Sequence, residues 1–471
     1  MKTIRNILKV AASNVVSIIC GILVSFIIPK LLSVPGYGMY KVFTLYVSYL
    51  GLFSIGLIDG IVLKYGAKDY NELSPREFRA YFKWYLLINL IFSLLFGLVG
   101  IIISQISMDY MWIAIMLGIN LLAVNITGYF QQISQITQRF SEYSARKIIQ
   151  SGLNILIIIL FALLIKFGVP SDYRIFLVFT ILVNAALAGW YLFTYRKIVY
   201  GEAISFHESK SSIVALIKCG FPLLFANLCS TLIMSLDRQF VSMLFSTEEY
   251  AIYAFAYSML SLVTVATSAV STVLYPFLKR LDFEQFKEKY NDFLVIVTVC
   301  VFFVVSAFFP LCYIIEAFLP KYIDSIAIFR IIIPGVAISS SITVIMHNYY
   351  KTLGLSSAFF KKSIIVLIVS CVANVVAFLC FRSMQSISIA SVITILFWYI
   401  FTNHRLKKDC TTNTVKNTIY ILLGLVCFYV ASAFEKHIIG LIIYLALIIS
   451  ITIAFYYNDI KRLLSRKFYK R

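Results

Sequence analysis

The hydrophobic pattern of this chain is one of length rather than period. Apolar stretches of about 20 residues follow one another from end to end, separated by short polar joins. Wound as helices, they match the roughly 30 Å hydrocarbon core of a bilayer. The pattern predicts spans at 8–32, 39–63, 82–104, 110–136, 148–167, 173–196, 215–243, 251–276, 292–316, 325–350, 363–381, 385–403, 417–434 and 438–457. Strands that alternate apolar and polar residues, as in membrane barrels, are absent from the sequence pattern. The expected fold is an all-α integral membrane protein with about 14 transmembrane helices.

The stretches form two related halves. The join after the first reads LLSVPGYGMYKVF, Leu31 to Phe43, and the join after the seventh reads LFSTEEYAIYAFA, Leu244 to Ala256. Leu31, Ser33, Tyr37 and Tyr40 recur as Leu244, Ser246, Tyr250 and Tyr253 at an offset of 213, which also carries Asn14 onto Asn227 and Ser17 onto Ser230. Duplicated multispanning proteins are usually transporters, with the path between the halves. Six helices per half is an even number, so both halves enter in one orientation and a pseudo-twofold along the membrane normal is expected. The predicted organisation is a six-helix lobe over 1–200, a second over 201–405, and two extra helices with a basic tail over 406–471.

Composition agrees with a membrane protein: 61% of the 471 residues are hydrophobic and 13% charged. The net charge of +20 would suggest nucleic acid in a soluble chain, but no soluble domain is evident here to hold such a site. With the N-terminus in the cytoplasm, 32 of the 41 Lys and Arg residues fall on the inner side and 9 on the outer. That asymmetry predicts cytoplasmic termini and an even number of spans. The basic tail after Asn458 reads as an anchor on anionic lipid or as a partner-binding tail. The nine cysteines are scattered, without CxxC or His-Cys spacing, so neither a disulfide framework nor a metal site is expected. The apolar run after MKTIRNILKV continues to Leu32, too long for a cleaved signal, and reads as a retained helix. No phosphate-binding GxxxxGK[ST], HExxH or GxSxG motif occurs, and the chain is not expected to be an enzyme.

Chemistry should reside in polar groups inside the spans. The sharpest is Asp237-Arg238 in SLDRQFVSMLF. Arg238 gripping an anion, with Asp237 orienting it or coupling to a cation, is one reading; a bridge locking helices together is the other. Lys30, Lys41 and Arg330 either ring the mouth of a basic cavity or snorkel to the outer interface. Gln131, Gln132 and Gln135 form a stripe on one helix, suited to a hydrated sugar-binding lumen or to helix pairing. Asn14 and Asn227 face the same two readings. His347 is the histidine well inside a span and, with Asp237, is a candidate for ion coupling. Asp59, close to a cytoplasmic end, reads as structural. Gly220-Phe221-Pro222 and Pro334-Gly335 are expected bend points.

The CGFPLLFANL segment, the LDR charge pair, the S-x-x-x-Y-x-x-Y join and the six-six-two layout resemble the polysaccharide flippases of the multidrug/oligosaccharidyl-lipid/polysaccharide export superfamily. The resemblance spans nearly the whole chain. It implies two six-helix lobes around a cationic cavity, in a bacterial inner membrane. It also implies transport of undecaprenyl-pyrophosphate-linked oligosaccharide to the periplasmic leaflet for O-antigen, capsule or exopolysaccharide synthesis. The partners so implied are that lipid-linked cargo, membrane lipids, and polysaccharide polymerase and chain-length machinery. No cofactor is expected beyond H+ or Na+ as coupling ion. Arginine suits a pyrophosphate through its fork geometry, lysine through point charge. Alternatives within the superfamily are a cation-coupled multidrug efflux transporter and a flippase for peptidoglycan or teichoic precursors. Proton-coupled efflux members commonly carry a carboxylate in the first helix, and here no acid precedes Asp59.

Overall fold

The computed structural model describes the backbone of residues 2–66, 68–278 and 282–468, and their side chains except 2–12, 14, 15, 18, 263–278, 356, 458 and 460–468. Among the described residues the regular structure is entirely helical. Ten helices are long and apolar enough to cross a membrane, or twelve if each of two bent pairs is one span, among the described residues. By packing, the chain divides into two compact units, Met1–Ala251 and Ile252–Arg471.

The first unit contains α1 (Lys2–Leu31), α2 (Val34–Val47), α3 (Leu57–Tyr65), α4 (Pro75–Ile103), α5 (Met108–Ile136), α6 (Phe140–Lys166), α7 (Tyr173–Thr194), the short α8 (Arg196–Val199), α9 (Phe206–Ile233), α10 (Leu236–Leu244) and the start of α11 (Thr247–Leu278). Helix α5 is its axis: 61% of its most apolar window is buried, against 11% for α4. The outer face of α4 leaves Leu94, Leu98, Ile101 and Ile102 exposed, as a bilayer requires. Both repeated joins begin a helix in the same way. Ser33 caps α2, its Oγ accepting from Gly36 N at 3.1 Å. Ser246 caps α11, accepting from Glu249 N at 3.2 Å while Glu249 accepts from Ser246 N at 3.0 Å. Capping satisfies amides that have no partner in the first turn, which is why this serine recurs with its register. The tyrosines that follow, Tyr37 and Tyr250, are both buried.

Two expected spans are broken. The 39–63 stretch becomes α2, a 3₁₀ turn at Leu50–Ser54 and α3, bent by 60°. Ile55 (φ 44°) and Gly56 (φ 84°) are consecutive left-handed residues, a conformation no right-handed helix continues through. The 215–243 stretch breaks at Met234–Ser235, between α9 and α10, while Pro222 sits inside α9. Here Ser235 leaves helical geometry and its Oγ donates to Thr231 O at 2.7 Å.

The second unit continues through α12 (Phe283–Glu288), α13 (Tyr290–Val305), α14 (Phe308–Phe318), α15 (Ser325–Ile332), α16 (Gly335–Ser340), a π-helical turn (Ser341–Met346), α17 (His347–Thr352), α18 (Ser356–Phe381), α19 (Met384–Leu406), α20 (Thr414–Ser432) and α21 (His437–Phe468). The expected bend at Pro334-Gly335 is present, 42° between α15 and α16–α17. The last two helices are fastened to α13: Tyr444 Oη donates to Phe302 O at 2.7 Å, and Gly424 lies against the Phe302 ring, where an added Cβ would come within 2.6 Å. Between α20 and α21, Lys416 pairs with Asp459 at 2.9 Å and Tyr456 Oη donates to Asn417 Oδ1 at 2.7 Å.

Candidate functional site: a polar chamber in the first unit

The break between α2 and α3 opens a cavity of about 380 Å³, in the range of roughly 300–1,000 Å³ typical of small-molecule sites. Its polar lining comes from Ser48, Tyr49 and Ser54 at the break, Asp59 on α3, Tyr85 on α4, Asn125 and Gln132 on α5, and Asn227 and Thr231 on α9. Among the described residues Asp59 is the one charged residue of the lining. A network holds the break in shape. Asn125 Nδ2 donates to Leu50 O at 3.1 Å and to Asn89 Oδ1, and Tyr85 Oη donates to Asn125 O at 3.1 Å. A carbonyl that the interrupted helix cannot satisfy thus receives a side-chain donor.

Next to the chamber lies a cluster of charge. Tyr49 lines the cavity, and its Oη lies 2.7 Å from Ser235 Oγ, at the N-terminus of α10. Tyr46 Oη accepts from Gln239 Nε2 at 2.7 Å. Buried Asp237 accepts from Arg238 N at 2.8 Å, and Arg238 Nη2 donates to Met234 O at 3.1 Å. Lys41, on α2, lies within the field of Arg238, and Tyr250 Oη donates to Lys41 O at 3.4 Å. Two cations and one carboxylate therefore share the α2–α10 contact, beyond the Tyr49–Ser235 hydrogen bond.

Beside the lining residues Ile58 and Asp59, α3 crosses α9 on glycine. A Cβ added to Gly220 of α9 would stand 2.0 Å from Gly56 O and 2.3 Å from Gly60 N; one added to Gly60 of α3 would stand 2.1 Å from Leu216 O. Backbone meets backbone there. A similar approach joins α2 to α11, where a Cβ on Gly38 would stand 2.4 Å from Thr247 O.

The sequence candidates fall in different places. Arg238, Asp237 and Lys41 come together. Asn227 and Gln132 line the chamber, as does Asp59, expected from the sequence to be structural. Gln131 is turned instead toward Tyr191 of α7, so the glutamine stripe is divided between two sites. Gln135 is half-buried and Lys30 exposed, neither among the chamber residues. The side chain of Asn14 lies outside the described residues. In the second unit, Arg330 is exposed, and His347 is half-buried with its ring stacked on Phe359 at 4.8 Å. Asn125 and Tyr85 were missed. Only their proximity to a helix break gives them a role, and that break leaves no signal in their own segments.

The fold is similar to that of the lipid II flippase MurJ in an inward-closed conformation, with a TM-score of 0.70 and 17% identity over 96% of this chain and 99% of that one. It is also similar to a multidrug resistance MATE family transporter of the MOP superfamily, with a TM-score of 0.60 and 13% identity over 84% of this chain and 95% of that one. A third similar structure is a MOP superfamily transporter from Pyrococcus furiosus, with a TM-score of 0.52 and 13% identity over 86% and 96%. No match was found among the curated proteins. Membrane-length helices in a MurJ- and MATE-like fold define a multi-pass membrane protein. The chain belongs to the polysaccharide biosynthesis protein family, whose sequence profile matches residues 3–282.

Proposed function

We propose that this protein is a flippase that moves undecaprenyl-pyrophosphate-linked oligosaccharide repeat units from the cytoplasmic to the outer leaflet by alternating access. Its product would feed O-antigen, capsule or exopolysaccharide synthesis. The observation that carries this reading is the pairing of a chamber lined mainly by amides and hydroxyls with a neighbouring Lys41–Arg238 cluster. A lipid-linked pyrophosphate sugar has a head that is both anionic and rich in hydroxyls, and leaving it in hydrocarbon is prohibitive. Amides and hydroxyls suit the sugar, and the half-buried cations suit the pyrophosphate. The fold shared with a lipid II flippase supports a lipid-linked cargo. The two lobes over 1–200 and 201–405 would rock about the chamber, with Asp237 or His347 responding to a coupling ion. Lys30, Arg330, Gln135 and Asn14 would join the path in another state of the cycle.

Asp59 favours a second reading. As the charged residue of the lining, it would suit a cationic substrate, as in a cation-coupled multidrug efflux transporter. Deletion in the native host separates the two. Loss of surface polysaccharide with accumulation of lipid-linked repeat unit on the cytoplasmic face supports the flippase and identifies its cargo. Intact polysaccharide with increased sensitivity to cationic drugs overturns it in favour of efflux.

A further inference from the structure

Away from the chamber, the first unit buries an arginine that no carboxylate neutralises. Arg146 of α6 is 4% exposed, and its Nη1 has no hydrogen-bond partner. The natural counter-ion would be Glu142, four residues earlier on the same helix, the favourable order for such a pair. Glu142 is committed elsewhere: Oε1 pairs with Arg139, and Oε2 accepts from Tyr195 Oη at 3.0 Å. No ion pair to Arg146 occurs among the described residues.

Aromatic rings hold the guanidinium instead. Its Cζ lies 3.9 Å from the ring centre of Tyr191 and 5.3 Å from that of Trp190. Such contacts offset part of the cost of burying charge, yet Nη1 stays without a partner. The Tyr191 hydroxyl is itself buried with no well-formed hydrogen bond, and both Arg146 and Gln131 of α5 approach it. Three donor-bearing side chains, from α5, α6 and α7, therefore converge with no acidic acceptor among the described residues. All three sit in the turns next to the α5–α6 join and the end of α7. A buried cation is expected to be paired.

We infer that Arg146, Tyr191 and Gln131 form an anion-binding site inside the first unit, distinct from the chamber. The ligand is a small anion, halide or phosphate, accepting from guanidinium, phenol and amide; a phosphate would come either from solution or from a lipid headgroup. The site holds the α5–α6–α7 corner together by neutralising Arg146.

The test is thermal unfolding of the purified full chain in neutral detergent. Sodium gluconate is replaced by chloride or phosphate at constant ionic strength. The wild type should show a saturable rise in Tm of several degrees, and R146Q should lose that rise. General salting-out by phosphate would act on both proteins alike, so the difference between them is the readout. If R146Q does not fold, Y191F should shift the half-saturating concentration several-fold upward. Reconstitution separates the sources. A response to inorganic ions in detergent assigns a free anion, and a rise in phosphatidylglycerol over phosphatidylcholine vesicles, lost in R146Q, assigns a headgroup. A wild-type Tm indifferent to chloride, phosphate and anionic lipid overturns the inference. So does an equal rise in R146Q, or in Y191F an unchanged half-saturation.

Discussion

Gly220→Ala probes the crossing of α3 and α9 with a single methyl group. Ordinary van der Waals contact for a Cβ is 3.4–4 Å, whereas this one would stand 2.0 Å from Gly56 O and 2.3 Å from Gly60 N. Both obstacles are backbone atoms, so no rotamer change relieves the clash, and the helices must part by more than an ångström. Overpacking of this kind costs about 1–3 kcal/mol. Alanine returns up to ~1 kcal/mol through its better helix propensity. A net cost of one or two kcal/mol corresponds to a factor of about 5–30 in the population of the close-packed arrangement. Gly152→Ala is the control, because nothing lies within 4 Å of its added Cβ. Hydrogen exchange by mass spectrometry should show faster exchange over residues 57–65 and 210–224 in Gly220→Ala, with a lower Tm, and neither change in Gly152→Ala. Gly60→Ala, whose Cβ would stand 2.1 Å from Leu216 O, should match Gly220→Ala. If Gly220→Ala exchanges like the wild type at an unchanged Tm, the crossing does not constrain the two helices as argued.

Asn125→Ala removes the donor to Leu50 O and Asn89 Oδ1 and should destabilise the fold by about 1–3 kcal/mol, read as a fall in Tm. Ser33→Ala deletes the α2 cap and should cost about 1 kcal/mol, with Ser246→Ala similar; no fall in Tm for either would refute the shared capping role. At equal protein levels, Arg238→Ala should abolish export of surface polysaccharide, while Arg238→Lys retains a part, because lysine keeps the charge and loses the fork. Export at the wild-type level in Arg238→Ala would remove Arg238 from the site. Asp59→Asn should change which glycans or cations compete for transport more than it changes protein abundance; an unaltered competition profile would return Asp59 to a structural role.

Much of this protein is written in its linear pattern. Span length follows from the thickness of hydrocarbon, and backbone polar groups in a bilayer have no alternative to helix. The recurrence of Ser33 and Tyr37 as Ser246 and Tyr250 is readable because capping is local: the serine and the amides it serves lie within one turn. Asp237-Arg238 stands out because ionisable residues in apolar stretches are rare. The bend at Pro334 is equally local.

What only the tertiary structure decided is which polar groups share a space. Gln131 and Gln132 are adjacent in sequence, yet about 100° of helical turn sends one to Tyr191 and the other into the chamber. Asp59 gains its place from a break centred on Ile55 and Gly56, whose left-handed backbone is imposed on the isoleucine by packing rather than by its own preference. Glycine at 56, 60 and 220 has no local meaning until two helices cross there. In the sequence Arg146 is one more basic residue beside a loop; its stacking on Tyr191 appears only in the packed bundle, where Glu142 is held by Arg139 and Tyr195. Periodicity and capping act over a few residues and survive in the sequence. Cavities and uncompensated charges arise from helices far apart in the chain, and are set only when the bundle closes.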